Sequence, residues 1–306
     1  MCEAEKNSKS EGRLPRWLKR PLGSGEKFNR VVGVLGGLEL ATVCDEAGCP
    51  NRGECYSTGT ATFMIMGKVC TRNCEFCLVQ HGAAAALRAD EPKRVAAAAA
   101  RLQLKHVVIT SVTRDDLADG GAEHFARTVG AVRQRQPEAT IEVLTPDFKG
   151  DRFCLDMVCA AGPDVFNHNL ETVRRLSREI RRGADYDRSL GVLGYVAGKE
   201  NHPVVKSGLM VGLGEDKQEI VEALADLRRV GVEMVTIGQY LRPSKRNRQV
   251  HKFYQPEEFD EFGRMAEKIG FGQVAAGPFV RSSYHAEKTV KKLKVEGEAH
   301  GIKGDG

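Results

Sequence analysis

No stretch of this chain approaches the ~20 consecutive apolar residues that a membrane-spanning helix needs, so membrane insertion by a helix is not expected. The N-terminus, MCEAEKNSKSEGRLPRWLKRP, lacks the apolar core of a secretion signal, and Glu3, Glu5 and Glu11 speak against a transit peptide. Charge of one sign is scarce too, with a formal net charge of only +5. The basic runs Arg181-Arg182 and Lys245-Arg246-Asn247-Arg248 have no aromatic residues interleaved to stack on bases. They read as solvated surface, with a rim facing an acidic partner protein as the other use open to them. No Ser-His-Asp set and no paired carboxylates for acid–base work stand out. The glycine-rich stretch from Gly208 to Glu215 lacks the lysine and Ser/Thr of a phosphate loop.

What is present is an alternation of strands and helices. The 306 residues, 41% hydrophobic and 28% charged, suffice for one large domain or two smaller ones. Strands are expected at 60–69 (TATFMIMGKV), 106–112, 140–144, 164–169, 204–213 and 234–240. Helices are expected at 92–102, 121–135, 152–161, 172–180, 186–196, 217–230 and 257–269, with a short one near 30–40. The strands are continuous apolar runs, as strands covered on both faces should be. Right-handed crossovers wrap such a series into a parallel sheet. Six units are too few for a closed eight-stranded barrel, so the expected α/β fold is a partial (β/α)6 barrel with N- and C-terminal extensions over its open face. The expected division is an arm and cysteine loop over 1–59, the core over 60–275, and a C-terminal segment and tail over 276–306, with disorder expected after Thr289.

Polar, unusual residues fall at the C-terminal ends of the strands, which is the ligand edge of parallel α/β folds. There lie the cysteines after the first strand, Thr113 to Asp116 after the second, Asn167-His168-Asn169, Gly212 to Glu215, and Gln239, with Glu142 inside the third strand.

Six of the nine cysteines fall between Cys44 and Cys77, as Cys44-x4-Cys49-x5-Cys55 and Cys70-x3-Cys74-x2-Cys77. Three thiolates that close together on a tight loop suit an iron–sulfur cluster whose fourth iron lacks a thiolate, with a zinc knuckle as the competing reading. The upstream triplet suits a second cluster, a structural zinc site or spare thiols. So many clustered thiols point to a reducing cytoplasm. Cys154 and Cys159 read as core side chains on a helix, and Cys2 lies in the N-terminal arm; none of the three is given a role. Asn169 could cap the helix expected at Thr172, and His168 is the one histidine placed at the cleft.

The Cys70-x3-Cys74-x2-Cys77 triplet after the first strand resembles that of the radical S-adenosylmethionine enzymes. Within them the chain resembles the lipoyl synthase family from about Leu14 to Ala286. The matching blocks are Cys49-Pro50-Asn51, TATFMIMG, DDLADGG (115–121), FNHNLETV (166–173), YDRSL (186–190), GLGE (212–215), GQYLRP (238–243) and Arg281-Ser282-Ser283-Tyr284. The resemblance implies two 4Fe–4S clusters. Cys70, Cys74 and Cys77 hold the one that cleaves S-adenosylmethionine to a 5′-deoxyadenosyl radical. Cys44, Cys49 and Cys55, with Ser283 or its competitor Ser282 as fourth ligand, hold an auxiliary cluster consumed as sulfur donor. Asn169, Glu171 and Gly212 become contacts of S-adenosylmethionine; biotin synthases carry Asp where this chain has Glu171.

The implied reaction inserts sulfur at C6 and C8 of an octanoyl chain carried on a lysine, with an apolar lane for that chain in the barrel interior. The implied partners are octanoylated lipoyl-carrier domains (2-oxoacid dehydrogenase E2 or glycine cleavage H protein), an electron donor such as ferredoxin or flavodoxin, and an iron–sulfur cluster carrier for repair. A monomer, without nucleic acid or membrane, is expected. The alternatives are a biotin-synthase-like sulfur transferase of the same superfamily and a non-catalytic iron–sulfur electron carrier.

Overall fold

The computed structural model describes residues 14–284. After a short 3-10 turn at Arg16–Leu18, helix α1 (Glu26–Gly37) leads to strand β1 (Ala41–Thr42) and two short helices, α2 (Val43–Glu46) and α3 (Arg52–Thr58). Strand β2 (Thr62–Ile65) opens the repeating part, and β3 (Val69–Cys70) and β4 (Gln80–His81) form a separate two-stranded ribbon. The series continues with α4 (Glu91–Arg101), β5 (His106–Ser111), α5 (Ala122–Arg135), β6 (Thr140–Leu144), α6 (Arg152–Ala160) and β7 (Val165–Asn167). It then runs through α7 (Arg174–Ile180), α8 (Tyr186–Ala197), β8 (Val204–Val211), α9 (Lys217–Arg229), β9 (Met234–Gln239), α10 (Pro256–Ile269) and β10 (Gln273–Gly277).

The main sheet has the order β1-β2-β5-β6-β7-β8-β9-β10. All its pairings are parallel except β1 with β2. The six expected strand–helix units are therefore present, side by side in chain order, in an open sheet. Two edge strands were not foreseen. Antiparallel β1 and parallel β10 flank the six, each too short or too weakly patterned to stand out in sequence. The first strand is also shorter than expected, because Met66 (φ 69°) and Gly67 (φ 92°) turn the chain before Val69. Cys70 therefore lies on the ribbon rather than on the barrel strand.

Helix ends follow local chemistry. Helix α9 begins with a capping box, Asp216 with Glu219. Its buried Ile220, Ala223, Leu224 and Leu227 recur at helical spacing against the sheet. Helix α10 starts with Pro256 in its first turn and a Gln255–Glu258 box, buries Phe259, Phe262 and Ala266, and ends at Gly270 with φ 101°. One continuous apolar core joins the strands and helices, and it takes in Val31 and Leu35 of α1 together with Cys44 and Tyr56. No helix among the described residues is long and apolar enough to cross a membrane. The expected disorder after Thr289 and Cys2 lie outside the described residues.

Candidate active site

The first triplet is held by a polar knot. The Thr42 hydroxyl caps α2 by accepting from the Asp45 amide at 3.1 Å, and it donates to the Asp45 carboxylate at 2.7 Å. Tyr56 of α3 donates to the same carboxylate at 2.5 Å, and Arg52 pairs with it from the helix start. Two short helices are thereby tied together through Asp45. Cys44, on the first, and Cys55, on the second, face the intervening Cys49 closely enough for all three thiols to influence one another. Burial pushes the Cys44 thiol up to about 12 and that of Cys55 up to about 11, the neighbouring thiols adding to it.

The second triplet sits on the loop closed by the β3–β4 ribbon. Cys70 Sγ accepts two backbone N–H groups, from Arg72 at 3.4 Å and Thr113 at 3.3 Å. Below it, Arg72 makes bidentate bonds to both Asp115 and Asp147, so its guanidinium welds the cysteine loop to the ends of β5 and β6. Two other segments brace the far side. The Glu75 amide donates to Ile180 O at 2.9 Å, and the Asn247 side-chain amide donates to Cys77 O at 2.8 Å and Glu75 O at 3.2 Å. Burial pushes Cys74 up to about 12 and Cys77 up to about 11.

The C-terminal segment, residues 278–284, folds back as a strap between the segment that bears the first triplet and the barrel strands. Asn51 donates to Phe279 O at 2.7 Å, and the Arg20 guanidinium lies 4.1 Å from the centre of the Phe279 ring. Tyr284 donates to Glu54 at 2.8 Å. From the barrel side, Lys206 Nζ donates to Ser282 O at 2.5 Å, and the Ser282 hydroxyl donates to Asn169 Oδ1 at 2.7 Å. Two strand glycines make room for this segment. A Cβ on Gly238 would stand 2.0 Å from Val280 O, and one on Gly208 would stand 2.9 Å from Ser282 Oγ. Ser283 makes no side-chain hydrogen bond among the described residues, whereas Ser282 is engaged.

Between the triplets lies Glu171, held at φ 67° and paired into the sheet beside Leu209. Its carboxylate accepts from the Asn169 side-chain amide at 3.1 Å. Burial raises its pKa, while Arg181 and Arg281 oppose the rise. Glu171 acts electrostatically on Cys74 and Cys77 on one side and on Arg281 on the other; Arg281 in turn faces Cys49. Glu171 and Arg281 are thus the charged groups that act on both triplets, Glu171 on Cys74 and Cys77 and Arg281 with Cys49.

Several expectations need correction. Asn169 does not cap the following helix; α7 begins at Arg174 with Val173 at its cap position and no side-chain bond there. His168 turns away from the cleft. In the alternation of β7 and its extension, Asn167 points inward, bonding Glu142 at 2.9 Å, while His168 points to the helix layer, against Thr145 O at 2.9 Å and Ser189 Oγ at 3.1 Å. Nor is the barrel interior an apolar lane at this depth. Glu142, Asn167 and Lys206 fill it with a buried polar network. Gly212 (φ 103°) is packed as well, since a Cβ there would meet Gln239 Nε2 at 2.2 Å. The loop it opens is drawn tight by Glu215, which accepts from the Gly212 and Leu213 amides at 2.6 and 2.9 Å. Cys154 is buried in α6, and Cys159 packs against the same core, as expected of core side chains.

Arg181, expected on solvated surface, is buried and acts on Cys74, and Asn247 of the other basic run braces Cys77; Lys206 and the Arg72 clamp were not singled out in sequence. A lysine inside an otherwise apolar strand, VVKSGLMV, was the one available signal among them.

The donor chemistry suits iron–sulfur clusters. None of the six thiols is in a disulfide. Burial makes the bare thiolates of Cys44, Cys55, Cys74 and Cys77 costly, so a positive metal centre beside them would favour their ionisation. Among the described residues no group of three Cys, His or carboxylate side chains closes on a single metal ion.

A model of the radical SAM superfamily matches residues 64–227, and one of the N-terminal domain of lipoyl synthase matches residues 2–49. The chain is 51% identical over 288 residues to lipoyl synthase 2 of Parasynechococcus marenigrum, covering 90% of this chain and 96% of that one. It is 52% identical to lipoyl synthase of Caldanaerobacter subterraneus, with the same coverage. Against lipoyl synthase of Salmonella paratyphi B it is 51% identical, covering 93% of this chain and 89% of the relative. Among solved structures its fold is similar to methylornithine synthase (TM-score 0.51, 14% identity, 76% and 80% of the two chains). Streptococcus suis SuiB is also similar (TM-score 0.55, 12% identity, 75% and 50%). An open, mostly parallel α/β sheet, joined to about half-identity along nearly the whole length of these relatives, leads to one conclusion: the chain belongs to the lipoyl synthase family of radical S-adenosylmethionine enzymes.

Proposed function

We propose that the two triplets divide the work of lipoyl synthesis in this chain. The reaction inserts two sulfur atoms, at C6 and C8 of an octanoyl group borne by a carrier-protein lysine. Cys70, Cys74 and Cys77 hold the 4Fe–4S cluster that meets S-adenosylmethionine, and Cys44, Cys49 and Cys55, with Ser283 as fourth ligand, hold the auxiliary one. When bound, the two clusters and S-adenosylmethionine supply hydrogen-atom abstraction and sulfur.

The protein's own part is positioning, charge and exclusion of water. Two N–H groups on Cys70 Sγ disperse the thiolate charge, one of the levers that set the potential of such a site. Arg181, buried beside Cys74 and bonded to Ser189 and to Asn169 O, adds a fixed positive charge. Glu171, whose charge acts on Cys74 and Cys77, and Asn169, whose amide donates to it, are the groups to meet the amino and ribose groups of S-adenosylmethionine. Gly212 belongs to the strand-end loop that would flank its adenine. Among the described residues Ser283 makes no side-chain hydrogen bond while the Ser282 hydroxyl donates to Asn169, which favours Ser283 as ligand. An oxygen ligand is weaker on iron than a thiolate, suited to a cluster that gives up its sulfur.

The observation that carries this reading is the strap. Phe279 O accepts from Asn51 and Tyr284 donates to Glu54, so the strap that carries Ser283 docks on the segment that bears Cys49 and Cys55. The acidic lipoyl-carrier domains of 2-oxoacid dehydrogenases or the glycine cleavage system are the substrates proposed. A low-potential donor such as ferredoxin or flavodoxin supplies electrons, a cluster carrier restores the auxiliary site, and the cytoplasm is the compartment.

Anaerobic reconstitution of variants tests the division. Cys44→Ala and Ser283→Ala should still cleave S-adenosylmethionine to 5′-deoxyadenosine yet form no lipoyl group, and Cys74→Ala should do neither. Lipoyl formation by Cys44→Ala would remove the sulfur-donor role from the first triplet.

A further inference from the structure

The barrel interior holds one buried charge pair that neither triplet uses. Lys206 of β8 is 1% exposed and Glu142 of β6 is 0% exposed. Lys206 Nζ lies 2.9 and 3.2 Å from the two Glu142 oxygens. Glu142 also accepts from Asn167 at 2.9 Å and lies 3.2 Å from His106 Nε2, so its oxygens are fully engaged by the barrel itself. The ammonium is different. It has three donors and no acceptor of its own, and within the barrel its bonds go to Glu142 alone. Its remaining partner is Ser282 O, 76 residues further along the chain. A buried ammonium with an unmet donor is costly. The strap's carbonyl removes that cost only when the strap is seated.

We propose that Lys206, oriented by Glu142, is a positioning residue that seats the C-terminal strap from inside the barrel and so fixes where Ser283 stands. The pair acts on the strap and not on the Cys70–Cys77 loop, since none of its bonds reaches that loop. The proposal rests on the reading of Ser283 as a ligand for its consequence in catalysis, but not for the seating itself.

The test uses the full-length, metal-free protein and hydrogen exchange read by mass spectrometry over residues 279–284. Lys206→Met alone leaves Glu142 buried without its cation and endangers folding. The double variant Lys206→Met/Glu142→Gln removes both charges and leaves Asn167 and His106 with a partner. In that variant exchange of the strap should speed up about 10- to 100-fold, as expected for loss of one hydrogen bond to a buried charge. Exchange in β6 and β8 should stay within about threefold of the parent. Ser283→Ala should leave strap exchange unchanged. After reconstitution, the double variant should keep 5′-deoxyadenosine formation, and its auxiliary-cluster spectrum should move to that of Ser283→Ala. Unchanged strap exchange in the double variant overturns the proposal, as does acceleration spread equally over the barrel strands. Failure of the ligand reading looks different: lipoyl formation by Ser283→Ala with the strap still loosened by the double variant.

Discussion

Gly238→Ala separates the strap from the barrel more cleanly than any cysteine variant. Gly238 lies in β9 with an ordinary strand conformation, so alanine fits the backbone and, by lowering the entropy of the unfolded chain, adds about 0.5–1 kcal/mol to barrel stability. The new methyl, however, would stand 2.0 Å from Val280 O and 3.0 Å from an Arg281 nitrogen. Carbon and oxygen do not approach closer than about 3.3 Å even in favourable contacts, so the strap must retreat by more than 1 Å. That displacement breaks the 2.5 Å bond from Lys206 to Ser282 O, which as a hydrogen bond to a charged group contributes about 1.5–3 kcal/mol. A shift of that size in a reacting constellation lowers turnover about a hundredfold. Melting of the metal-free protein and product analysis of the reconstituted protein check it together. Expected are a midpoint lowered by a few degrees, because the lost bond outweighs the entropic gain, 5′-deoxyadenosine formation within about threefold of the parent, and lipoyl product down by about two orders of magnitude. Parent-like lipoyl formation would refute the strap geometry, and a collapsed melting transition would refute the claim that the barrel tolerates the methyl.

Asn247→Ala removes the two bonds to Cys77 O and Glu75 O, a loss of about 1–2 kcal/mol in the brace of the second triplet. Iron bound by the Cys70–Cys77 loop should then leave several times faster in a chelator challenge, measured in a Cys44→Ala background, and an unchanged rate would remove Asn247 from the brace. Stability should also fall on the acid side. Burial and the nearby Arg181 lower the pKa of His168 to about 4, so between its ordinary value near 6.5 and 4 the unfolded chain binds a proton that the folded chain does not. The stabilisation is complete above about pH 6.5 and declines as pH falls through that window, by roughly 3 kcal/mol in all. Urea midpoints of the metal-free protein at pH 7, 6 and 5 should drop in step, and a flat profile contradicts the buried neutral imidazole.

The barrel was legible because its strands are apolar runs bounded by turns; Thr140–Leu144 is bounded as expected at both ends. The edges were not, since β1 has two residues and β10, with Gln273 and Gly277, lacks the pattern of a fully buried strand. The cysteine spacing drew attention to both triplets, because residues a few positions apart stay close in space whatever the fold. Lys206 and Glu142 were visible as charges out of place in strands, but their pairing depends on strand curvature and on β6, β7 and β8 lying side by side. The strap was least legible. Lys206 meets Ser282 O and Asn51 meets Phe279 O across long stretches of chain, and no local pattern encodes such contacts. His168 was misplaced for a simpler reason: in an extended segment its neighbours Asn167 and Asn169 take the inward face and leave it the outward one.

Mass spectrometry of an octanoylated carrier peptide, incubated anaerobically with the reconstituted protein, S-adenosylmethionine and dithionite, puts sulfur transfer itself on view. The expected product is the same peptide with two added sulfur atoms, formed by the parent and absent with Ser283→Ala. Cleavage of S-adenosylmethionine to 5′-deoxyadenosine with no sulfur added to the peptide would contradict it.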